Sequence, residues 1–273
     1  RPAPSWTELR MSGRVLVTPH PALPGVQLVE LATPGKLNAI SINMWETLRE
    51  VFVDWHQRDA NLRAVIVRGA GGVFAAGADI DELPGFRFEV DSLQHFHEHI
   101  VAPALQALLD CEVPLVAQID GVCVGGGLEI AACCDIRIAG RGARFGAPIG
   151  RLGFPMAPDE LAVLGRVLDP GTAAEVLLEG RLLDAATAQQ RGVVQRVVDD
   201  AEVAAEATAT ARRIAALAPH AARLNKRTLR QIALGRPFDA AWRREHFSYA
   251  THPDHREGVM AFIDKREPTF SGS

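Results

Sequence analysis

The sequence predicts an α/β protein, with a βα-repeating core over about residues 1–200 followed by a helical C-terminal region over 201–273. Short β-rich apolar runs bounded by glycine or proline alternate with helical patterns in the first part. From Ala201 onward the chain turns Ala- and Arg-rich, with helical periodicity and no strand signal. At 273 residues, 48% of them hydrophobic, it is long enough to bury a large core.

Strands are expected at 15–17, 26–31, 64–67 and 115–119. Between the second and third, Ile42, Trp45, Leu48, Phe52 and Trp55 recur every three or four residues behind Ser41, a suitable N-cap. That spacing predicts an amphipathic helix over 41–58, with Glu46, Arg49, Glu50 and Asp54 on its polar face. Leu93, Phe96, Ile100 and Leu108 mark one side of a second helix over 92–109, which ends before Pro114. Further helices are expected over 204–217, 221–234, 240–249 and 255–265, and no internal repeat or low-complexity linker sets them apart from the core.

A net charge of -4, with acids and bases interspersed and no basic block, offers no footprint for nucleic acid or an anionic membrane. Small molecules are the expected partners. Cys111, Cys123, Cys133 and Cys134 lie in apolar surroundings without a CxxC pair, so they read as buried free thiols suited to a reducing compartment. Residues 1–10 lack the design of a signal peptide. Asp110, Glu112, Asp120 and Glu129 interrupt the stretch over 100–134 before it could span a bilayer. A cytoplasmic location is therefore expected.

Two glycine-rich segments follow predicted strands: Phe74-Ala75-Ala76-Gly77-Ala78-Asp79-Ile80 and Gly121-Val122-Cys123-Val124-Gly125-Gly126-Gly127-Leu128-Glu129. Each turns sharply and exposes backbone N–H groups. Three glycines opening a helix let a ligand approach the main chain, and the helix start directs partial positive charge at a developing anion. The same glycines equally permit close helix packing, and neither segment matches the Walker or GxGxxG phosphate patterns. Glu129 adds a chemical reason for the first reading, because a carboxylate beside Ile130, Ala131 and Ala132 is costly to bury without a task or a partner.

These segments occur with Lys36-Leu37-Asn38-Ala39, Cys134-Asp135-Ile136-Arg137, Phe145-Gly146-Ala147-Pro148, Gly192-Val193-Val194 and Glu257-Gly258 through Phe262-Ile263-Asp264-Lys265-Arg266. Together they resemble the ordered signatures of the crotonase (enoyl-CoA hydratase/isomerase) superfamily, over nearly the whole chain and in family order. The resemblance implies a crotonase-like spiral of ββα units forming two packed sheets, a C-terminal helical region used in trimerisation, and a homotrimer or dimer of trimers. It implies an enzyme acting on acyl-CoA thioesters, with coenzyme A entering as part of the substrate, no separate cofactor and no metal.

By the same resemblance, the N–H groups of Ala78 and Gly126 form an oxyanion hole for the thioester carbonyl. Two fixed donors aimed at an enolate oxygen stabilise it without reorganisation, each by on the order of 3 kcal/mol. Glu129 falls where hydratases of the family hold the first of two catalytic carboxylates and is expected to act as general acid or base. The coenzyme A loops correspond to Leu37 through Ala39 and to Ala76, Ala78, Asp79 and Ile80, with Gly126 beside them. Phe262 and Lys265 match C-terminal residues that reach the coenzyme, often in a neighbouring subunit. Asp81 stands where many members place a basic residue, and Lys36 is a possible substitute.

One departure matters for the chemistry. After Phe145-Gly146-Ala147-Pro148 the hydratases place their second catalytic glutamate, and this chain has Ile149, with no gap needed to reach Gly180 and Gly192. Adding water across an enoyl double bond uses one carboxylate to activate the water and another to help deliver the proton. Ordinary hydratase activity is therefore expected to be weak or absent, while isomerisation, decarboxylation, hydrolysis and carbon–carbon chemistry stay open. Asp159 and Glu160, which begin the helix after Pro155 and Pro158, and His97 are the possible replacements. N-terminal helix capping competes with catalysis at Asp159, and packing competes at His97.

Two other readings stand beside this one. His95-Phe96-His97-Glu98-His99 contains the H-x-x-E-H string of some zinc hydrolases, against a solvated polar helix face as the plain alternative. A non-catalytic acyl-CoA-binding member of the same family would also tolerate Ile149.

Overall fold

The computed structural model describes residues 13–53 and 55–272, with His56 in its backbone alone. The first twelve positions, counted above with the core, and Asp54, expected on a polar helix face, lie outside the described residues.

Strands β1 (Arg14–Pro19) and β2 (Val26–Ala32) pair antiparallel. Helix α1 (Ile42–Phe52) begins at the expected cap, where the Ser41 hydroxyl accepts from Met44 N at 3.3 Å, and it buries Met44, Trp45, Leu48 and Phe52. It stops short of 58. Val53 leaves helical geometry, and a single turn, α2 (Trp55–Arg58), resumes beyond it. The Arg58 guanidinium donates to the carbonyls of Glu50, Val51 and Val53 at 3.0, 2.7 and 2.9 Å, satisfying acceptors at a helix end that periodicity alone carried through.

Strand β3 (Ala64–Gly69) leads through the first glycine-rich loop to α3 (Val90–His95), a π-helical turn over Phe96–Val101, and α4 (Ala102–Asp110). There follow β4 (Leu115–Ile119), β5 (Val122–Val124), α5 (Gly126–Cys133), β6 (Ile136–Gly140) and β7 (Arg144–Gly146). Next come α6 (Pro158–Leu164), α7 (Pro170–Leu178), β8 (Leu183–Asp184), α8 (Ala185–Gln190) and β9 (Arg196–Val198). The last segment is helical as expected: α9 (Val203–Ala215), α10 (Pro219–Ala233), α11 (Ala240–His246) and α12 (Pro253–Ile263).

One sheet has the order β1-β2-β3-β4-β6-β9 and is parallel from β2 onward; the other is β5-β7-β8. Successive passes of the chain give one strand to each sheet, β4 then β5 and β6 then β7, so stacked ββ units wind into a spiral. Both faces of the larger sheet are covered, which is why its strands read as unbroken apolar runs. Along β3, Val65 and Val67 enter the main core with Phe74, Leu105 and Leu128, while Ala64 and Ile66 meet Ala207 and Ala211 of α9 on the other face. Helix α9 thus packs on the sheet, although its composition belongs with the segment that follows. Among the described residues no helix is long and apolar enough to cross a membrane.

Candidate active site

The site is made where two loops touch. Residues 74–79 are bonded on one side to β5, with Ala75 N to Val122 O at 3.0 Å and Val124 N to Ala75 O at 3.1 Å. On the other side Gly77 O accepts from Ile40 N at 2.7 Å and Asp79 N donates to Ile40 O at 2.9 Å. Because alternate residues of an extended chain point opposite ways, the Ala78 N–H is directed away from Ile40. Gly77 and Gly125, with φ of 99° and 52°, let the two backbones meet: a Cβ on Gly77 would lie 3.5 Å from Val124 O, and one on Gly125 would lie 3.4 Å from Gly77 Cα.

Gly126 then opens α5, where its N–H has no intrahelical acceptor and Gly125 supplies no side-chain cap. Among the described residues neither the Ala78 nor the Gly126 amide donates to a protein acceptor, and both residues line one cavity of about 160 Å³. The packing role of the glycines holds as well. A Cβ on Gly126 would fall 2.8 Å from Trp45 Cζ2, and one on Gly127 would fall 2.6 Å from Ala75 O.

Glu129 lies one turn into α5, a helix buried along its whole length, and its side chain reaches the same cavity. It is only 3% exposed, and among the described residues nothing donates a hydrogen bond to its carboxyl. Burial, reinforced by the nearby charge of Glu160, holds this carboxyl well above the usual carboxylate range.

Glu160 is the second carboxyl at the cavity, buried and contributed by the first turn of α6. Its Oε1 lies 2.5 Å from His97 Nδ1, and His97 reaches it from the π-helical turn. That wide turn keeps Phe96 in the core while turning the next residue, His97, to the cavity; π-bulges recur at functional sites for such reasons. Asp159, put forward from the sequence, is exposed and borders a separate depression with Glu98 and Arg166, and its neighbour Glu160 lines the cavity instead. Ile149 lines the cavity wall from a short 3-10 turn after β7, next to Pro148 and Leu152.

The remaining predicted positions surround the entrance or lie apart from it. Leu37 and Asn38 hold left-handed φ of 50° and 56°, a strained arrangement for residues with side chains, and Ala76 N donates to Leu37 O at 3.0 Å, joining the two expected coenzyme loops. Ala76, Ala78 and Ile80 line the cavity, Ile80 with most of its side chain exposed, whereas Ala39 is buried behind the loop. The Lys36 ammonium is already engaged, donating to the Asp79 carboxylate at 2.8 and 2.7 Å and pairing with Asp81 at 2.7 Å. Phe262 and Lys265 are exposed at the end of α12 and do not line the cavity.

His95 and His99 are exposed, their rings 5.0 Å apart, and Glu98 accepts from Gln94. Among the described residues no three His, Cys, Asp or Glu side chains are placed to hold a metal ion, and His95, Glu98 and His99 of the H-x-x-E-H string are all exposed. All four cysteines are free and buried; burial pushes the Cys134 thiol up to about 12.

The model of the family described as enoyl-CoA hydratase/isomerase matches residues 23–273. A probable mitochondrial enoyl-CoA hydratase of Dictyostelium discoideum is 32% identical over 248 residues, covering 90% of this chain and 87% of that protein. The short-chain-enoyl-CoA hydratase of Clostridium acetobutylicum is 32% identical over 251 residues, covering 89% and 92%. Among solved structures, an enoyl-CoA hydratase/carnithine racemase from Magnetospirillum magneticum superposes with a TM-score of 0.90 at 38% identity, covering 95% of this chain and 96% of that one.

Proposed function

The chain belongs to the enoyl-CoA hydratase/isomerase family and has the crotonase fold, and from that we propose that it is an acyl-CoA enzyme moving a proton at the carbon beside the thioester carbonyl. The Glu129 carboxyl carries the reading. It is buried, lacks a donor, is pushed above the usual carboxylate range by burial and by Glu160, and shares a cavity with two uncommitted backbone amides.

The thioester oxygen sits between the N–H groups of Ala78 and Gly126, where charge that develops as the α-proton leaves meets fixed donors. Glu129 exchanges that proton. With Glu129 alone, double-bond isomerisation fits best: the fraction of enzyme in which Glu129 is ionised takes a proton from one carbon, and the acid so formed returns it at another. Glu160 favours a second reading, water addition: the carboxylate held by His97 activates water while protonated Glu129 supplies the α-proton. Coenzyme A lies along the joined loops at Leu37–Ala39 and Ala76–Ile80, with Lys36, Phe262 and Lys265 as further contacts. Trimers or dimers of trimers bring Phe262 and Lys265 to a neighbouring site. Buried thiols suit a cytoplasmic enzyme. A non-catalytic binder would have no use for a buried, donor-free carboxyl at this position.

Incubation of a saturated acyl-CoA in heavy water, followed by mass spectrometry, tests the proton transfer directly. The wild type is expected to exchange its α-hydrogens and Glu129→Gln to do so slower by roughly 10²-fold, with little change in affinity. Binding without exchange, and without turnover of 2-enoyl- or 3-enoyl-CoA substrates, sinks the enzyme reading. Glu160→Gln separates the two reactions: loss of water addition with isomerisation retained assigns hydration to Glu160, and His97→Asn, which removes the imidazole that holds this carboxyl, is then expected to slow that step alone.

A further inference from the structure

Arg87 lines the same cavity as Glu129 and Glu160, and the proton chemistry leaves it without a task. Its side chain is half-buried. Nε is sealed from solvent and has no hydrogen-bond acceptor, and among the described residues no carboxylate lies within ion-pair distance of the guanidinium. The guanidinium carbon sits 3.6 Å from the centroid of the Phe154 ring and 5.9 Å from that of Phe86, which in turn stacks on Phe96 at 4.1 Å. Aromatic contact of this kind holds an arginine in place through its π face, and among the described residues the terminal amino groups of Arg87, like the sealed Nε, have no protein acceptor.

The charges around Arg87 do not cancel it. Glu160 acts on it through space and opposes the downward pull of burial, yet the Glu160 oxygen is committed to His97. Glu129 is pushed above the usual carboxylate range by burial and by Glu160, which weakens it as a counter-charge. A partly buried cation with an unsatisfied donor is a site awaiting an acceptor, and the group that matches a guanidinium fork in shape and charge is a planar carboxylate. We infer that Arg87 receives a carboxylate carried by the acyl chain, so that the substrates are short acyl-CoA thioesters of dicarboxylic acids. The inference rests on the reading above only in placing the thioester carbonyl at Ala78 and Gly126.

Size and position narrow the ligand further. A cavity of about 160 Å³ is close to one that holds a single benzene ring, a size that suits a short acyl group. A coenzyme phosphate is the other anion available. Arg87, however, lies with Phe154, Phe96 and the two glutamates, whereas Lys36 and Leu37 of the coenzyme loop do not line this cavity.

Titration calorimetry with two saturated thioesters of equal length tests the assignment: glutaryl-CoA, which ends in a carboxylate, and valeryl-CoA, which ends in a methyl group. The wild type is expected to bind glutaryl-CoA at least about tenfold more tightly. That ratio falls to one or below in Arg87→Met. Arg87→Lys, which keeps charge and most of the bulk, retains part of the preference and carries the test if Arg87→Met fails to fold. A wild-type ratio near one overturns the inference, as does an equal loss for both ligands in Arg87→Met, the pattern a coenzyme phosphate contact produces. Turnover of glutaconyl-CoA is followed separately. Carboxylate selectivity in binding without any turnover leaves the role of Arg87 standing and removes the proton chemistry, while turnover without selectivity does the reverse.

Discussion

Replacing Glu129 with glutamine keeps the shape of the side chain and removes its proton, and the consequence for stability has a definite sign. At 3% exposure, with Glu160 beside it, this carboxyl is held well above the usual range, burial being the larger cause. The folded protein therefore keeps a proton that the unfolded chain releases near the ordinary glutamate value of about 4.3. A group with a raised folded pKa contributes its full stability below the unfolded value and loses it as pH rises through the folded value. Between those limits the folded state holds up to one extra proton, so the unfolding free energy falls by as much as ~1.4 kcal/mol per pH unit. Glu129→Gln abolishes that slope.

The variant should thus gain on the wild type steadily as pH rises above the unfolded value of about 4.3, until Glu129 ionises in the folded wild type. For a domain of this length each kcal/mol corresponds to roughly 2–4 °C in Tm. Thermal or urea unfolding of both proteins across that range reads the difference, and subtraction cancels every titrating group the substitution leaves alone. Glu160 is not such a group, because its charge faces Glu129. The same comparison is therefore repeated in a Glu160→Gln background. Curves that stay parallel with pH in both backgrounds would refute the claim that this carboxyl is poorly solvated. A gain in stability with a loss of turnover is what a strained catalytic acid should show.

Two further outcomes follow from packing. Gly126→Ala drives a Cβ to 2.8 Å from Trp45 Cζ2 and is expected to cost about 1–3 kcal/mol, part of which Trp45→Phe restores in the double variant; strictly additive losses by urea unfolding contradict the contact. Leu229 and Ile232, 67% and 58% exposed and one turn apart on α10, form part of an apolar face suited to subunit contact. For the trimer proposed above, Leu229→Asp with Ile232→Asp is expected to reduce the mass found by light scattering to that of one chain while the circular dichroism stays native; a wild type that is already one chain refutes the trimer, and an unchanged oligomeric mass excludes that face from it.

Where the sequence was legible, two independent constraints agreed. The runs at 64–67 and 115–119 are apolar on both faces because the parallel sheet is covered on both, and both became strands of that sheet. The two glycine-rich loops could be placed because close backbone approach and helix initiation both call for glycine. Strands β5, β7, β8 and β9 span two or three residues each, too few for any periodicity to register. Likewise nothing local foretold that Arg58 would fold back to close α1, since the benefit appears only once the chain has turned at Val53.

The choice between Asp159 and Glu160 shows what a stricter reading would have used. Capping propensity treats two adjacent acids at a helix start alike, because either can interact with the free N–H groups. Helix phase does not. Val163, Leu164 and Leu168 are buried, and Glu160 is reached by three residues back from Val163 and by four back from Leu164, whereas Asp159 is reached from Val163 alone and otherwise lines up with Ala162 and Arg166 on the other depression. A carboxylate in register with a buried apolar stripe must be paid for by a partner, and His97 supplies it across 63 residues of sequence. That pairing explains how Ile149 can occupy the cavity wall without leaving Glu129 as its lone acid: the second carboxyl enters from α6, and the imidazole that fixes it enters from the π-helical turn before α4.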